Sequence, residues 1–248
     1  MTELVHLEVV DDVATVTLDS EHNRNALSRQ LVSELAGHLA TADQDDASRA
    51  VLVRSAGRVF CSGADLSEAT DGGMVEGAKA LIALQRQIAT LSKPVVVELG
   101  GPVRAGGLGI VGAADLVLAA ESVTFALTEV RLALAPAVIS ASLLPRLTDR
   151  AAADLFLTAR TFDAAEAVSV GLVTRAVPDV ELQAEVARSL ADLLKGRPQG
   201  LRETKRLLNH DLVARIDALG DDLAALSGEL FGSDEAREAM TAFLQRKG

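Results

Sequence analysis

Two short segments at the start of the chain alternate apolar and polar residues. Residues 4–10 and 13–18 each show this period of two, and Asp11 and Asp12 lie between them. Such alternation is typical of strands with one buried face, and a short polar break between two of them favours a hairpin. The chain therefore begins with a predicted antiparallel pair of strands.

Helical and strand-like patterns then alternate along the chain. Residues 28–42 and 76–91 place apolar side chains about one helical turn apart, which predicts two amphipathic helices. Residues 128–132 have the pattern of a connecting loop. Strands that alternate with helices indicate parallel pairing through crossover connections, so the expected fold class is α/β. Short apolar runs predict the strands at residues 51–53, 95–97, 116–119 and 123–126.

The last hundred residues have a mostly helical pattern. The segment 196–200 contains two glycines and a proline and is the best candidate for a break. We therefore predict a core over residues 1–195 and a helical region over residues 196–248. Apolar stripes in that region, Leu207 and Leu208 among them, are expected to pack on the core and on another subunit. Helices are predicted at residues 151–158, 164–170, 180–195, 201–209, 212–226 and 234–245, with one short strand at 172–177.

Composition excludes several classes of function. The 248 residues are 49% hydrophobic, enough for a large core, and the net charge of −11 argues against non-specific binding of nucleic acid. One cysteine, Cys61, and four scattered histidines do not form a metal-binding pattern. No apolar run approaches the ~18 residues of a membrane span, and the first residues lack the features of a signal peptide. We therefore expect a cytoplasmic protein without a metal, a nucleic-acid partner or a membrane partner.

Residues 103–115 contain a glycine-rich turn between two apolar runs. Their pattern predicts a strand, a turn at Gly106 and Gly107, a short buried helix and another strand. Glycines at such a turn let a ligand approach main-chain N–H groups that no helical carbonyl accepts. The turn could therefore hold an anion, or an oxygen that becomes one. A second turn of small residues lies at 60–65, and close packing is the alternative interpretation of both turns.

Five segments form an ordered set of motifs over nearly the whole chain. They are residues 23–27 (NRNAL), 60–66 (FCSGADL), 105–116 (AGGLGIVGAADL), 125–132 (FALTEVRL) and 164–173 (AAEAVSVGLV). In this order and spacing they resemble the crotonase superfamily, the group of enoyl-CoA hydratases and isomerases. Several ordered motifs are far more specific than one glycine turn.

The resemblance implies a fold, a substrate and an assembly. The fold is a spiral of ββα turns, here over residues 1–195, followed by C-terminal helices over 196–248 that join subunits into a homotrimer or a pair of trimers. The substrate is an acyl-CoA thioester. Coenzyme A is then part of the substrate, and no separate cofactor is expected.

The resemblance also implies roles for individual residues. Reactions of this family place negative charge on the thioester oxygen, and two main-chain N–H groups stabilise it; the matching positions are Ala64 and Gly106. Losing one such donor typically raises a barrier by about 3–4 kcal/mol. Glu129 matches a glutamate that moves protons. The motifs also suggest substrate-binding positions at Arg24, Ser62, Gly63, Asp65, Gly107 and Gly109.

Gly109 is the main departure from the family pattern. Hydratases of the family carry a second catalytic glutamate at this position, and glycine has no group that moves a proton. Some members with glycine there are still hydratases, so hydration of a 2-enoyl-CoA is the leading prediction. Double-bond isomerisation, decarboxylation, thioester hydrolysis and a non-catalytic acyl-CoA-binding subunit remain alternatives. Ala137 argues against members that use an aspartate there, and the bulky run 137–140 is expected to narrow the acyl pocket.

Five further residues lie in or near these motifs or in the C-terminal helix. Arg104 is left out of the catalytic set, because arginines are usually solvated or paired. Cys61 is interpreted as a buried small residue rather than a nucleophile, since no histidine lies in its motif. From the C-terminal helix, Phe243, together with Arg246 and Lys247, could close over coenzyme A.

Overall fold

A computed structural model describes residues 2–71 and 73–245. The predicted hairpin is confirmed: strands β1 (Val5–Val10) and β2 (Val13–Leu18) pair antiparallel around a two-residue turn. Both turn residues, Asp11 and Asp12, have positive φ angles of 49° and 65°. This conformation gives a two-residue turn the twist that the flanking strands need, and aspartate tolerates it better than most residues.

Strands β1 and β2 belong to a six-stranded sheet. The order in this sheet is β1, β2, β3, β4, β6, β9, and every pair after the first is parallel. The central strands are buried on both faces, which explains their continuous runs of valine and leucine. The further strands of this sheet are β3 (Ala50–Ser55), β4 (Val95–Leu99), β6 (Leu116–Ala120) and β9 (Arg175–Val177).

A second, three-stranded sheet contains the short strands of the chain. It consists of β5 (Val103–Arg104), β7 (Thr124–Ala126) and β8 (Phe162–Asp163), in that order. A parallel bridge between Cys61 and Val103 joins the turn of small residues at 60–65 to the β5 edge of this sheet. Successive turns of the chain thus place one strand in the large sheet and the next segment in the small sheet before a helix follows. This arrangement agrees with the expected spiral of ββα turns.

Ten α-helices surround the sheets in the described part of the chain, and most predicted helices are present. Ser28 caps α1, because its side chain accepts a hydrogen bond from the Leu31 N–H at 3.2 Å. The helices are α1 (Arg29–Gln44), α2 (Met74–Thr90), α3 (Gly107–Ala113), α4 (Ala137–Leu143), α5 (Asp149–Thr158), α6 (Ala164–Ser169), α7 (Leu182–Leu194), α8 (Pro198–Leu208), α9 (His210–Phe231) and α10 (Asp234–Gln245).

Three local predictions differ from the structure. The segment 128–132 was expected to be a loop, but Glu129–Leu132 forms a short 3-10 helix. Helix α4 was not predicted, because six of its seven residues are buried and its sequence has no polar face to reveal a helical period. The last strand is shorter than the predicted 172–177, because only Arg175–Val177 pairs with β6.

The C-terminal helices lie against the core of their own chain. Helix α7 ends at Leu194 and α8 begins at Pro198, so the last three residues of the predicted break at 196–200 belong to α8; the division into two regions stays a prediction. Lys205 on α8 is buried and pairs with Asp115 at 2.8 Å. Leu207 and Leu208 are 74% and 75% exposed, so they do not pack on the core; packing on another subunit stays a prediction. No helix in the described ranges is both long and apolar enough to cross a membrane.

Candidate active site

One cavity of about 770 Å³ brings together most of the sequence-predicted site residues. Ala64, Gly106 and Glu129 line it, although they lie on three separate segments of the spiral. Its walls come from the turns before α2 and α3, the segment between β7 and α4, helices α1 and α2, and the C-terminal helices α9 and α10. Arg24, Ser62 and Asp65 also line it, whereas Gly63, Gly107 and Gly109 do not.

The first turn presents the N–H group of Ala64. Gly63 has a φ of +99°, a conformation that a residue with a side chain rarely adopts. Leu27 forms a parallel bridge here: its N–H donates to the Gly63 carbonyl at 2.8 Å and its carbonyl accepts from the Asp65 N–H at 3.5 Å. The N–H of Ala64 itself has no backbone or side-chain acceptor among the described residues.

The second turn presents the N–H group of Gly106 in a similar way. Ala105 has a φ of +46°, and its own N–H donates to Ala126 at 3.0 Å. Gly106 follows at the start of α3, where no preceding helical carbonyl is available. Its N–H also has no acceptor in the part of the chain that the structure describes. In both turns the residue with positive φ directly precedes the unpaired N–H.

The two unpaired N–H groups are close together. A Cβ atom added to Gly106 would lie 3.8 Å from the Ala64 nitrogen and 2.9 Å from Leu27 Cδ1. A side chain at position 106 would therefore intrude next to the Ala64 N–H, so glycine leaves this space open. Two neighbouring N–H groups without acceptors suit an oxygen that carries negative charge.

Glu129 supplies a carboxyl group to the same cavity. Its Oε2 atom is buried and has no hydrogen-bond partner among the described residues. Burial raises the pKa of this carboxyl to about 7, and a hydrogen bond from its own backbone N–H only partly opposes the rise. The Leu134 N–H donates to the Glu129 carbonyl at 3.1 Å, just beyond the end of the 3-10 helix. A carboxyl with such a pKa can both accept and donate a proton near neutral pH.

The other carboxyl groups of the cavity wall are already paired. Among the described lining residues, Glu68 accepts from Arg29 and Glu76 pairs with Lys79 at 3.2 Å. Asp65 accepts from the Asn23 amide at 3.1 Å and from Ser67. Burial alone would raise the pKa of Asp65, but these hydrogen bonds outweigh it and lower the pKa. Glu129 is therefore the carboxyl of the described wall that has no partner outside its own residue.

The space beside Gly109 is filled by uncharged side chains. A Cβ atom at position 109 would lie 3.1 Å from Gln85 Cδ and 3.1 Å from Ile139 Cγ2. Gln85 is fully buried: its amide donates to the carbonyls of Leu81 and Val138 at 3.1 and 3.2 Å, and its oxygen accepts from Ser142 Oγ at 2.6 Å. A glutamate would need this occupied volume. The sequence reasoning missed Gln85, because its partners lie up to 57 residues away.

Several predicted binding residues make hydrogen bonds or packing contacts within the two turns. Arg24 lies at the cavity mouth with an exposed side chain and no ion-pair partner in the described ranges, and its carbonyl accepts from the Ser62 N–H at 3.1 Å. Ser62 Oγ donates to the Asn23 carbonyl at 3.1 Å. Gly107 packs on Cys61, where an added Cβ would come within 2.6 Å of Cys61 Cβ. Contact of these residues with a ligand stays a prediction.

Arg104 and Cys61, which lie outside the predicted catalytic set, make contacts within the fold. Arg104 donates to the Thr124 carbonyl and hydroxyl at 2.5 and 2.8 Å, which ties β5 to β7. Cys61 is buried, and this burial raises the pKa of its thiol to about 12. Phe243 on α10 lines the cavity. Arg246 and Lys247 lie outside the described residues.

Comparisons with known proteins identify the family. The enoyl-CoA hydratase/isomerase family model matches residues 8–248. The chain is 30% identical over 250 residues to the short-chain-enoyl-CoA hydratase of Clostridium acetobutylicum, covering 98% of this chain and 95% of that protein. It is 32% identical over 261 residues to the 1,2-epoxyphenylacetyl-CoA isomerase of Escherichia coli, covering 100% and 97%.

A solved structure agrees with the sequence comparisons. The crystal structure of an enoyl-CoA hydratase from Mycobacterium avium matches with a TM-score of 0.92 and 44% identity, over 99% of this chain and 98% of that one. The chain belongs to the enoyl-CoA hydratase/isomerase family. The predicted resemblance and the predicted crotonase-like fold are thereby confirmed.

Proposed function

We propose that the protein adds water across the Cα=Cβ bond of a 2-enoyl-CoA thioester. The observation that carries this proposal is the meeting of two unpaired N–H groups, at Ala64 and Gly106, with the unpaired buried carboxyl of Glu129 in one cavity. Family membership supports an acyl-CoA substrate, because the matched relatives are named as enzymes that act on CoA thioesters.

The two N–H groups act on the thioester carbonyl. When water attacks Cβ, the electrons of the double bond move towards the carbonyl and leave an enolate oxygen with negative charge. Donors that are already in position stabilise this charge without reorganising, and each contributes about 3–4 kcal/mol to lowering the barrier. The backbone supplies both donors here, which is why small residues suffice at Ala64 and Gly106.

Glu129 carries the proton in both halves of the reaction. As a carboxylate it accepts a proton from water while the water oxygen bonds to Cβ. As a carboxylic acid it then returns this proton to Cα, and the thioester carbonyl re-forms. The net change is the addition of one water molecule, with Glu129 back in its starting state. One carboxyl serves both steps because the place of a second one is taken by Gln85 and Ile139.

Coenzyme A would enter at the mouth of the cavity. The unpaired guanidinium of Arg24 suits a phosphate there, and Phe243 adds an apolar surface to the cavity lining. The addition of water is redox-neutral, and the two N–H groups and Glu129 supply the charge stabilisation and the proton transfer, so we propose that it uses no metal or redox cofactor. We further propose that the protein assembles as a homotrimer or a pair of trimers, and the exposed Leu207 and Leu208 support such packing between subunits. We also propose a cytoplasmic location, where water-soluble CoA thioesters are available.

Double-bond isomerisation is the second candidate, and the surroundings of Gly109 favour it. With one carboxyl, Glu129 could remove a proton from Cα of a 3-enoyl-CoA and return it to Cγ, which moves the double bond into conjugation. No attacking water is needed in this reaction. An apolar wall of Ile139 beside Gly109 is compatible with such a transfer.

A spectrophotometric assay separates the candidates. Hydration of crotonyl-CoA removes the absorbance of the conjugated thioester, whereas isomerisation of a 3-enoyl-CoA creates it. We expect loss of absorbance with crotonyl-CoA. If the protein turns over the 3-enoyl-CoA but not crotonyl-CoA, its reaction is isomerisation and the hydration proposal is wrong. Binding of CoA thioesters without turnover of either substrate would indicate a non-catalytic binding subunit.

A further inference from the structure

The cavity continues beyond the candidate active site into a groove on the protein surface. Helices α1 and α2 form its two sides, and we call it the α1–α2 groove. The proposed hydration reaction does not use this groove. The groove is lined by Val32, Ser33 and Ala36 of α1 and by Ala80, Ala83 and Leu84 of α2.

The α1–α2 groove has an apolar floor and small residues along its rim. Val32 and Leu84 form the floor and are only 7% and 1% exposed. The rim residues Ser33, Ala80 and Ala83 are exposed and have short side chains. On each helix these residues recur at three- and four-residue spacing, so they share one face. A bound chain would therefore lie against the short side chains of the rim, above the buried Val32 and Leu84.

The two ends of the cavity differ in free space. At Gly109, which lies outside the cavity lining behind Ile139, an added Cβ would be 3.1 Å from both Gln85 and Ile139, so the cavity is closed on this side. At Gly77, near the start of α2, an added Cβ would have no atom within 4 Å, so this end is open. A chain attached to a thioester at Gly106 has room on the side of the α1–α2 groove and little room towards Gly109.

Helix α9 fixes the position of α2, which forms one side of the groove. The two helices pack closely, with Gly220 against Ile82 and Gly228 against Val75. The absence of side chains at these glycines lets the two backbones approach each other. Near its C-terminus, α2 contacts α1, where the Gln87 amide donates to the Ala36 carbonyl at 2.9 Å. The ten residue-to-residue steps from Gly77 to Gln87 span about 15 Å at about 1.5 Å per step, the length of a medium fatty acyl chain.

We propose that the α1–α2 groove binds the distal part of the substrate's acyl chain. The substrates are then enoyl-CoA thioesters of medium or long chain, and not short-chain thioesters alone. This inference rests on the thioester site of the proposed function. The continuity of the groove with the cavity that holds Ala64, Gly106 and Glu129 identifies the occupant as part of the same ligand.

A cysteine-protection experiment tests the groove without requiring turnover. The natural Cys61 is buried, so an introduced Ala83→Cys thiol should dominate alkylation of the folded protein. We expect saturating dodecanoyl-CoA to slow alkylation by at least about tenfold, since apolar contact excludes water and reagent, while acetyl-CoA changes it less than about twofold. Ala187→Cys, on the exposed face of α7 outside the cavity lining, is the matched control and should not respond.

The outcomes separate this inference from the proposed function. Calorimetric titration with both thioesters first establishes that they bind. Binding without selective protection at position 83 overturns the groove and leaves the thioester site intact. Failure of both thioesters to bind overturns the proposed function itself. Protection that depends on protein concentration without ligand would assign the groove to a second copy of the chain, and would also overturn the proposal.

A chain-length series provides the second test. Each buried methylene should raise kcat/KM by about fourfold in the wild-type protein until the groove is filled. Ala83→Leu, and separately Ser33→Leu, should lower the ratio of kcat/KM for 2-dodecenoyl-CoA to that for crotonyl-CoA by at least about tenfold. Ala187→Leu should leave this ratio unchanged. If Ile139→Ala raises the ratio while Ala83→Leu does not alter it, the chain runs towards Gly109 and the proposal is wrong.

Discussion

Replacing Glu129 by glutamine should stabilise the protein above neutral pH. The pKa of the carboxyl rises from 4.5 to about 7 in the folded state because the group is buried without a hydrogen-bond partner for Oε2. The folded protein therefore holds this proton more tightly than the unfolded chain does. Stability attributable to the group is complete below pH 4.5, is lost as the pH rises towards 7, and stays lost above it.

The size of the effect follows from the difference between the two pKa values. One pKa unit corresponds to about 1.4 kcal/mol, so a rise from 4.5 to about 7 destabilises the folded protein by about 3 kcal/mol at high pH. Glutamine keeps the shape of the side chain and has no charge to bury. The free energy of unfolding of Glu129→Gln should thus exceed that of the wild type by about 3 kcal/mol at pH 8, and by almost nothing at about pH 4.5.

Urea unfolding over this pH range measures the effect. Far-ultraviolet circular dichroism is the suitable signal, because the chain has no tryptophan or tyrosine for intrinsic fluorescence. Glu121→Gln, at an exposed glutamate outside the cavity lining, is the matched control and should show no comparable pH dependence relative to the wild type. A difference between Glu129→Gln and wild type that is constant with pH, or a less stable variant at pH 8, would refute the reasoning.

Three other predictions concern the rate, the donor groups and the C-terminal helices. The value of kcat/KM for hydration should rise with pH through about 7, because the carboxylate of Glu129 accepts the proton from water; a profile that is flat between about pH 5 and pH 9 would contradict this. Gly106→Ala should lower kcat about a hundredfold in steady-state assays, because its Cβ intrudes beside the Ala64 N–H, while Gly37→Ala, whose Cβ meets no atom within 4 Å, should leave kcat unchanged. Lys205→Met should lower the free energy of unfolding by about 3–5 kcal/mol in urea titrations, because it removes the cation paired with Asp115 and leaves that carboxylate only the Val95 N–H and the Asn209 amide; a loss below about 1 kcal/mol would show that the pair does not anchor α8.

Elements with one polar and one buried face could be predicted from the local pattern of apolar and polar residues. The hairpin of β1 and β2 and the amphipathic helix α1 were predicted close to their observed bounds. In a strand the two-residue period, and in a helix the three- to four-residue period, of apolar side chains indicates which side faces water. Helix α4 was missed for the same reason. It is buried nearly all round, so its sequence lacks that period.

The candidate site was predictable only as far as its motifs are local. The turns that present Ala64 and Gly106 depend on neighbouring residues, Gly63 and Ala105, and can be read from short segments. Gln85 could not be found in this way. Its role beside Gly109 arises from contacts with α3 and α4 that only the folded chain creates. The unpaired state of Glu129 is likewise a property of the whole cavity wall.

Turnover of crotonyl-CoA by Glu129→Gln tests the central claim most directly. If Glu129 is the group that moves the proton, the variant should lose about 10²–10⁴-fold in kcat, since glutamine can neither accept nor return a proton. It should still bind CoA thioesters, because the N–H groups of Ala64 and Gly106 remain in place. Glu121→Gln should keep wild-type turnover. Wild-type turnover by Glu129→Gln would contradict the account.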